Sequence, residues 1–216
     1  MNIYPKICLD MVANFAKKYP KYEGLLEWLW NTKWKQNTIL YNAQGLGAVD
    51  VKDLLSITAD DDIVLRFLVN NMLSEYDTED EKVIKIAKFV NSHLTYTSDI
   101  VNYDKREYWA DPYTVYERAK DDCDGFAFLI LKMMELAGIP AYRRKICAGD
   151  TRYGGHAYII YLSREDNNWY VIEGSLKANE SFMSFGIVPH SDRYDYGDIW
   201  FTFNEEKAWS QTDTLI

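Results

Sequence analysis

Asp121-Asp122-Cys123-Asp124-Gly125-Phe126-Ala127 is the stretch on which the reading of this chain turns. Beyond it, apolar residues recur at Phe126, Ile130, Met133, Met134 and Ala137, the three- and four-residue steps of an amphipathic helix. Gly138 and Pro140 end that helix. Asp121 or Asp122 is its N-cap, so Cys123 falls in the first turn and, three residues before Phe126, faces the body of the protein. A thiol there meets unpaired backbone N–H groups and the positive end of the helix dipole. Both favour thiolate, the nucleophilic form. An isolated cysteine is ordinarily a packing residue, so the functional reading depends on partners further along the chain.

Gly154-Gly155-His156 opens an aromatic and β-branched run that continues to Leu162. After a polar stretch, a second run, Trp169-Tyr170-Val171-Ile172, leads into Glu173. Together they read as a β-hairpin. A four-residue loop over residues 164–167 makes His156 and Glu173 diagonal neighbours on one face, able to hydrogen-bond. Cys123 is then a candidate nucleophile, His156 its proton carrier and Glu173 the group that orients the imidazole. The N–H of Cys123, at a helix start, is a candidate oxyanion donor. A cysteine, a later histidine and a later acid are common, so spacing alone is unspecific.

Further phrases add specificity through their order. Phe89-Val90-Asn91, Thr95-Tyr96-Thr97-Ser98-Asp99 and Tyr108-Trp109-Ala110-Asp111-Pro112 precede the cysteine motif, and Ala137-Gly138-Ile139-Pro140-Ala141 comes after it. Over roughly residues 80 to 175 the chain resembles the transglutaminase-like superfamily and, within it, the bacterial transglutaminase-like cysteine proteinases. The resemblance implies an α+β fold of papain/transglutaminase type, with the helix of Cys123 packed on an antiparallel sheet that carries His156 and Glu173. It implies a cysteine peptidase or hydrolase that cleaves peptide or isopeptide amides of a protein or peptide substrate through a thioester. Transamidation is the alternative within that chemistry. A binding or assembly module that keeps the fold without catalysis is the alternative outside it.

Two departures stand out. Glu173 occupies the place where the family usually has Asp, and Asp124 succeeds the cysteine where Glu is frequent. Acids flanking the cysteine bind calcium in some of these proteinases, so the resemblance makes Asp122 and Asp124 candidate Ca²⁺ ligands, although the thiol chemistry requires no cofactor. N-capping is their alternative role. Without a cation they oppose thiolate formation. The resemblance also makes Tyr96 and Trp109 candidate substrate-binding residues or oxyanion donors, with core packing as the alternative.

Residues 76–216 read as the catalytic core and residues 1–75 as an N-terminal helical extension beside the cleft, with no linker between them. Helical spacing runs over residues 6–34 with a break at Pro20, and helices begin after the caps Asp60-Asp61-Asp62 and Asp77-Thr78-Glu79-Asp80-Glu81. Gln44-Gly45-Leu46-Gly47 is a turn without the signature of a phosphate loop. Residues 141–147 and 198–203 are expected strands, and residues 194–197 a loop. The net charge of −9 argues against a nucleic-acid surface. No apolar run is long enough for a membrane span. The start, Met1 to Lys6, has no apolar signal region, so a cytoplasmic location is expected. Cys8, Cys123 and Cys147 are too few and too irregular for a disulfide framework; Cys147 is expected to pack in a strand. His93 and His190 have no partner in sequence that suggests a site.

Overall fold

Residues 124–134 are buried without a break in the helix that begins at Cys123. The expected apolar stripe is therefore only half of the helix's contacts: Phe128, Leu129 and Leu131 are as buried as Phe126 and Ile130. A helix apolar all round belongs at the centre of its domain, and the rest of the chain is layered on both sides of it. The computed structural model describes residues 15, 18–22, 24–31, 34–36, 39–41, 48–58, 62–152, 154–175, 187–189 and 196–211. Cys8, the turn at residues 44–47, Asp60, Asp61 and His190 lie outside the described residues.

A 3₁₀ turn at Pro20–Tyr22 comes first, at the break in helical spacing that Pro20 predicts. The described helices are then α1 (Gly24–Asn31), α2 (Val51–Thr58), α3 (Ile63–Met72), α4 (Glu79–His93), α5 (Asp99–Asn102), α6 (Pro112–Arg118) and α7 (Cys123–Leu136). The strands are β1 (Trp34–Gln36), β2 (Ile39–Tyr41), β3 (Ala48–Asp50), β4 (Thr95–Tyr96), β5 (Lys120–Asp121), β6 (Arg144–Thr151), β7 (Gly154–Leu162), β8 (Trp169–Ile172), β9 (Ile187–Pro189), β10 (Tyr196–Phe203) and β11 (Ala208–Gln211). Among the described residues, seven strands form one sheet in the order β1-β11-β10-β6-β7-β8-β9, antiparallel at each pairing. This is the α+β architecture expected from the sequence, with α7 against β6 and β7 on one side and against α3, α4 and α6 on the other.

Local chemistry sets the helix ends. Asp62 caps α3 by accepting from the N–H groups of Val64 and Leu65. Thr78 and Glu81 form a reciprocal capping box at the start of α4. Asp111 caps α6 with Pro112 in the first turn. After α7 the chain turns at Gly138, whose φ of +81° lies in the left-handed region that glycine occupies without a Cβ penalty.

Alternation along the strands separates two faces. Ile146, Ala148, Ile159, Tyr161, Ile172, Phe201 and Phe203 pack in the cluster that contains α7. Cys147, Tyr158, Ile160 and Val171 pack on the opposite face with Trp30, Trp34 and Trp209. Cys147 is thus a packed strand residue, as expected.

Three local expectations are corrected. Trp34 is in a strand, because residues 34–36 pair with residues 209–211 at the sheet edge; a remote partner overrides helical spacing. Tyr196 and Gly197 belong to β10, held by the Tyr196↔Thr151 pairing. Residues 141–143 form a 3₁₀ turn, and the strand starts at Arg144.

Lys145 is fully buried on the tryptophan-lined face. Its Nζ donates to the Tyr142 carbonyl at 2.9 Å and lies 4.7, 5.1 and 5.0 Å from the ring centres of Trp30, Trp169 and Trp209. Burial pushes its pKa down from 10.5 to about 7. A depressed pKa contributes stability that is full above 10.5 and is lost as pH falls toward about 7. Lys145→Met is expected to flatten that dependence. In thermal melts between pH 7 and pH 10, the difference between wild type and variant should change in favour of wild type as pH rises. Parallel curves would show that the indole faces and the carbonyl hold the charge without loss.

Candidate active site

The cysteine motif is delivered by a short parallel pair. Thr95 and Tyr96 of β4 run beside Lys120 and Asp121 of β5, and α7 starts immediately afterwards. Asp122 is the N-cap, its carboxylate accepting from the Asp124 N–H at 3.4 Å. Asp121 is buried; it accepts from the Asp122 N–H at 2.9 Å and from the Tyr103 hydroxyl at 2.8 Å. Its carboxyl folds over the start of the helix, where a Cβ on residue 125 would stand 2.4 Å away. Gly125 therefore leaves the space that Asp121 occupies.

His156 and Glu173 come together as the hairpin parity requires. Leu162 pairs with Trp169, and the Ser163 N–H reaches the Asn168 carbonyl at 3.0 Å, leaving residues 164–167 as the loop. His156 Nε2 lies 2.8 Å from Glu173 Oε2. A carboxylate only accepts, so Nε2 carries the proton and Nδ1 is the ring nitrogen left with a lone pair. The imidazole also stacks on Tyr158, with ring centres 6.1 Å apart.

Cys123 approaches from the helix side. Pairing of β8 with β7 stops at Ile159↔Ile172. Two residues further along β7 is Ala157, next to His156 in the strand, and its backbone N–H works against the upward shift of the Cys123 thiol. By alternation, His156 and Glu173 belong to the face of Tyr158 and Val171, whereas α7 covers the other face. His156 and Glu173 meet at the margin left where β8 ends.

The helix start was expected to favour thiolate, and its surroundings oppose that. Burial pushes the Cys123 thiol well above its usual range, and the carboxylates of Asp124, Asp122 and Glu173 add to the shift. The same motif that supplies N–H groups also supplies negative charge.

Those acids are part of a larger cluster. Ligand-capable oxygens of Asp99, Asp121 and Asp122 lie within 4.8 Å of one another, as do those of Asp99, Glu107 and Asp124. Asp99 and Asp124 are buried, and each has one carboxylate oxygen, Oδ1, without a hydrogen-bond partner. Burial raises the carboxyl of Asp99; burial and the charge of neighbouring carboxylates raise those of Asp121 and Asp124 and push that of Asp122 up to about 7.

A model of the transglutaminase-like superfamily matches residues 66–174, just over half of the 216-residue chain, and spans Cys123, His156 and Glu173. The chain belongs to the transglutaminase-like superfamily. No curated protein sequence matches it. Its fold is similar to that of LapG from Legionella pneumophila in two solved forms. The EGTA-treated form has a TM-score of 0.55 at 16% identity, over 78% of this chain and 89% of that one. The calcium-bound form has a TM-score of 0.54 at 17% identity, over 74% of this chain and 85% of that one.

The donor set of the acid cluster is of the kind that suits a hard divalent cation. Carboxylate oxygens are the donors that hard divalent cations prefer, and two buried oxygens of the cluster lack any other partner. Asp99, Glu107 and Asp121 were not singled out as ligand candidates from sequence. Asp99 lay in plain view at the end of Thr95-Tyr96-Thr97-Ser98-Asp99, but only the β4–β5 pairing brings it to the cysteine motif.

Tyr96 and Trp109 part company. Tyr96 is half exposed, and burial together with the negative charges of Cys123, Asp122 and Asp124 pushes its phenol up to about 12. It therefore stays protonated and able to donate. Trp109 turns inward: its indole N–H donates to Glu107 at 2.7 Å and its ring packs among Phe128, Phe201 and Phe203. His93 is stacked between Phe89 and Tyr116, with Nε2 on the Tyr116 carbonyl at 2.9 Å, which is a packing role. Among the described residues, no helix is long and apolar enough to cross a membrane.

Proposed function

We propose that this protein is a cysteine-dependent acyl-transfer enzyme that hydrolyses amide bonds in a protein or peptide substrate, with Cys123, His156 and Glu173 as its triad. The observation that carries this reading is the His156 Nε2 to Glu173 Oε2 contact of 2.8 Å, on a sheet packed against the helix that begins at Cys123. The carboxylate fixes the tautomer and turns Nδ1 toward the remaining partner. His156 Nδ1 takes the thiol proton as sulfur attacks the carbonyl carbon, forming the S–C bond and an oxyanion. The Cys123 N–H and the Tyr96 hydroxyl are the donors proposed for that oxygen. Collapse breaks the C–N bond; the amine leaves with the proton held on His156, and a thioester remains. Water, deprotonated by His156, then releases the acid and restores the thiol. Water is always present to resolve the thioester, which favours hydrolysis over transfer to an amine.

Asp99, Glu107, Asp121, Asp122 and Asp124 are the residues proposed to hold Ca²⁺. Bound there, the ion would supply the positive charge that offsets the carboxylates around the thiol.

The test is to trap the acyl-enzyme. The protein is incubated with a peptide mixture, quenched in acid and analysed by intact mass and peptide mapping. A peptide fragment held as a thioester on Cys123, lost on hydroxylamine treatment, is expected. Absence of any adduct, together with a Cys123 no more reactive toward iodoacetamide than Cys147, would instead favour a non-catalytic module.

A further inference from the structure

Glu173 is only 1% exposed, and its carboxylate is held at both oxygens. Oε2 faces His156, while Oε1 accepts from the Ser175 N–H at 3.3 Å and from the Ser175 hydroxyl at 3.2 Å. The turn that carries both residues is clamped. Asn91 of α4 donates through Nδ2 to the Gly174 carbonyl at 2.8 Å. On the α7 side, a Cβ at Gly174 would come within 2.6 Å of Ile130 Cδ1 and 3.3 Å of Phe126 Cβ. Residues 173–175 therefore run as a close-packed turn between two helices.

We propose that Ser175 is a positioning residue: its N–H and hydroxyl pin Oε1 of Glu173 so that Oε2 stays on the His156 imidazole. The proposal rests on the triad reading above. Its physical basis is the length of the acid. Glutamate has one more rotatable bond than aspartate, so its carboxylate has more freedom to lose on being fixed. Two donors on one oxygen restrain rotation about the terminal bond and leave the other oxygen on the imidazole. Both bonds go to an ionised acceptor, the stronger class of hydrogen bond. Asn91 and Gly174 keep the backbone of the turn at the height where this works.

The experiment uses the full chain with Ser175→Ala and Ser175→Thr, each alone and in a Glu173→Gln background. Two quantities are read: kcat/KM on a peptide identified by acyl-enzyme trapping, and the low-field proton signal of His156 Nε2–H, assigned by its absence in His156→Gln. Ser175→Ala is expected to lower kcat/KM about tenfold, the scale of one charge-assisted hydrogen bond, and to move the proton signal upfield. Ser175→Thr, which keeps the hydroxyl, should restore both. In the Glu173→Gln background Ser175→Ala should cost less than about twofold, because the two sites act through one interaction. An equal loss in both backgrounds with an unmoved proton signal, or no loss in either, would overturn the proposal. Turnover surviving Cys123→Ala would sink the triad reading instead, and the proton signal would still decide whether Ser175 orders the Glu173–His156 pair.

Discussion

Cys123→Ala is expected to abolish turnover outright, because no other residue placed at the site can form the thioester. Cys123→Ser should be nearly as inactive: a hydroxyl is a far weaker acid than a thiol, and His156 is too weak a base to compensate. His156→Ala removes both proton transfers and is expected to lower kcat/KM by about 10²- to 10⁴-fold. Glu173→Gln keeps the shape and loses the charge that supports imidazolium, so a loss of about 10²-fold is expected, milder than at the other two positions. Glu173→Asp should keep part of the activity, since it retains the charge and loses one methylene of reach. Single-turnover rates on the trapped peptide substrate, with circular dichroism as the folding control, give the ranking. Undiminished turnover in Cys123→Ala ends the enzyme reading, and a silent Glu173→Gln means that another group holds the histidine.

The second large effect concerns calcium and pH together. The Asp122 carboxyl is raised from 3.8 to about 7, and those of Asp99, Asp121 and Asp124 are raised with it. A raised carboxyl contributes stability that is full below its unfolded pKa and is lost as pH rises through its folded pKa. Without a cation, the cluster should therefore weaken the fold progressively from about pH 4 to about pH 7. Calcium held by the cluster as proposed would reverse the preference, because it would bind the ionised oxygens. At one hundred times the dissociation constant it adds about 2.7 kcal/mol, on the order of 5–10 °C in Tm for a chain of this size. The Tm difference between calcium-loaded and EGTA-treated protein is expected to be large at pH 7.5 and to shrink toward pH 5, where protons compete for the same oxygens. Glu107→Gln and Asp124→Asn should both reduce it. A Tm that ignores calcium and EGTA at pH 7.5 removes the ion from the account.

Legibility from sequence tracks the range of the interactions. The helix of Cys123 was legible because its cap, its apolar spacing and its Gly138–Pro140 stop are local. The His156–Glu173 contact was legible because a hairpin obeys a parity rule, and the polar run at 164–168 located the turn. The full burial of α7 was not, since residues 124–134 reveal a second apolar face only when α3, α4 and α6 cover it. The acid cluster was legible in part: Asp122 and Asp124 flank the cysteine, whereas Asp99 and Glu107 reach them only through tertiary structure. Trp34 looked helical because its strand partners lie more than 170 residues away at residues 209–211. Ser175 carries no motif at all, and its role appears only once the Glu173 side chain has a position.

The loop at residues 164–167 has a consequence for how this protein can change. Strand side chains alternate, so a single inserted or deleted residue in that loop, if the two strands slide to absorb it, sends Glu173 to the face opposite His156. Two residues can be gained or lost without that inversion. Length variation among descendants of this chain should therefore come in even steps at the loop, and an odd step should be accompanied by a bulge in β7 or β8 that restores the phase.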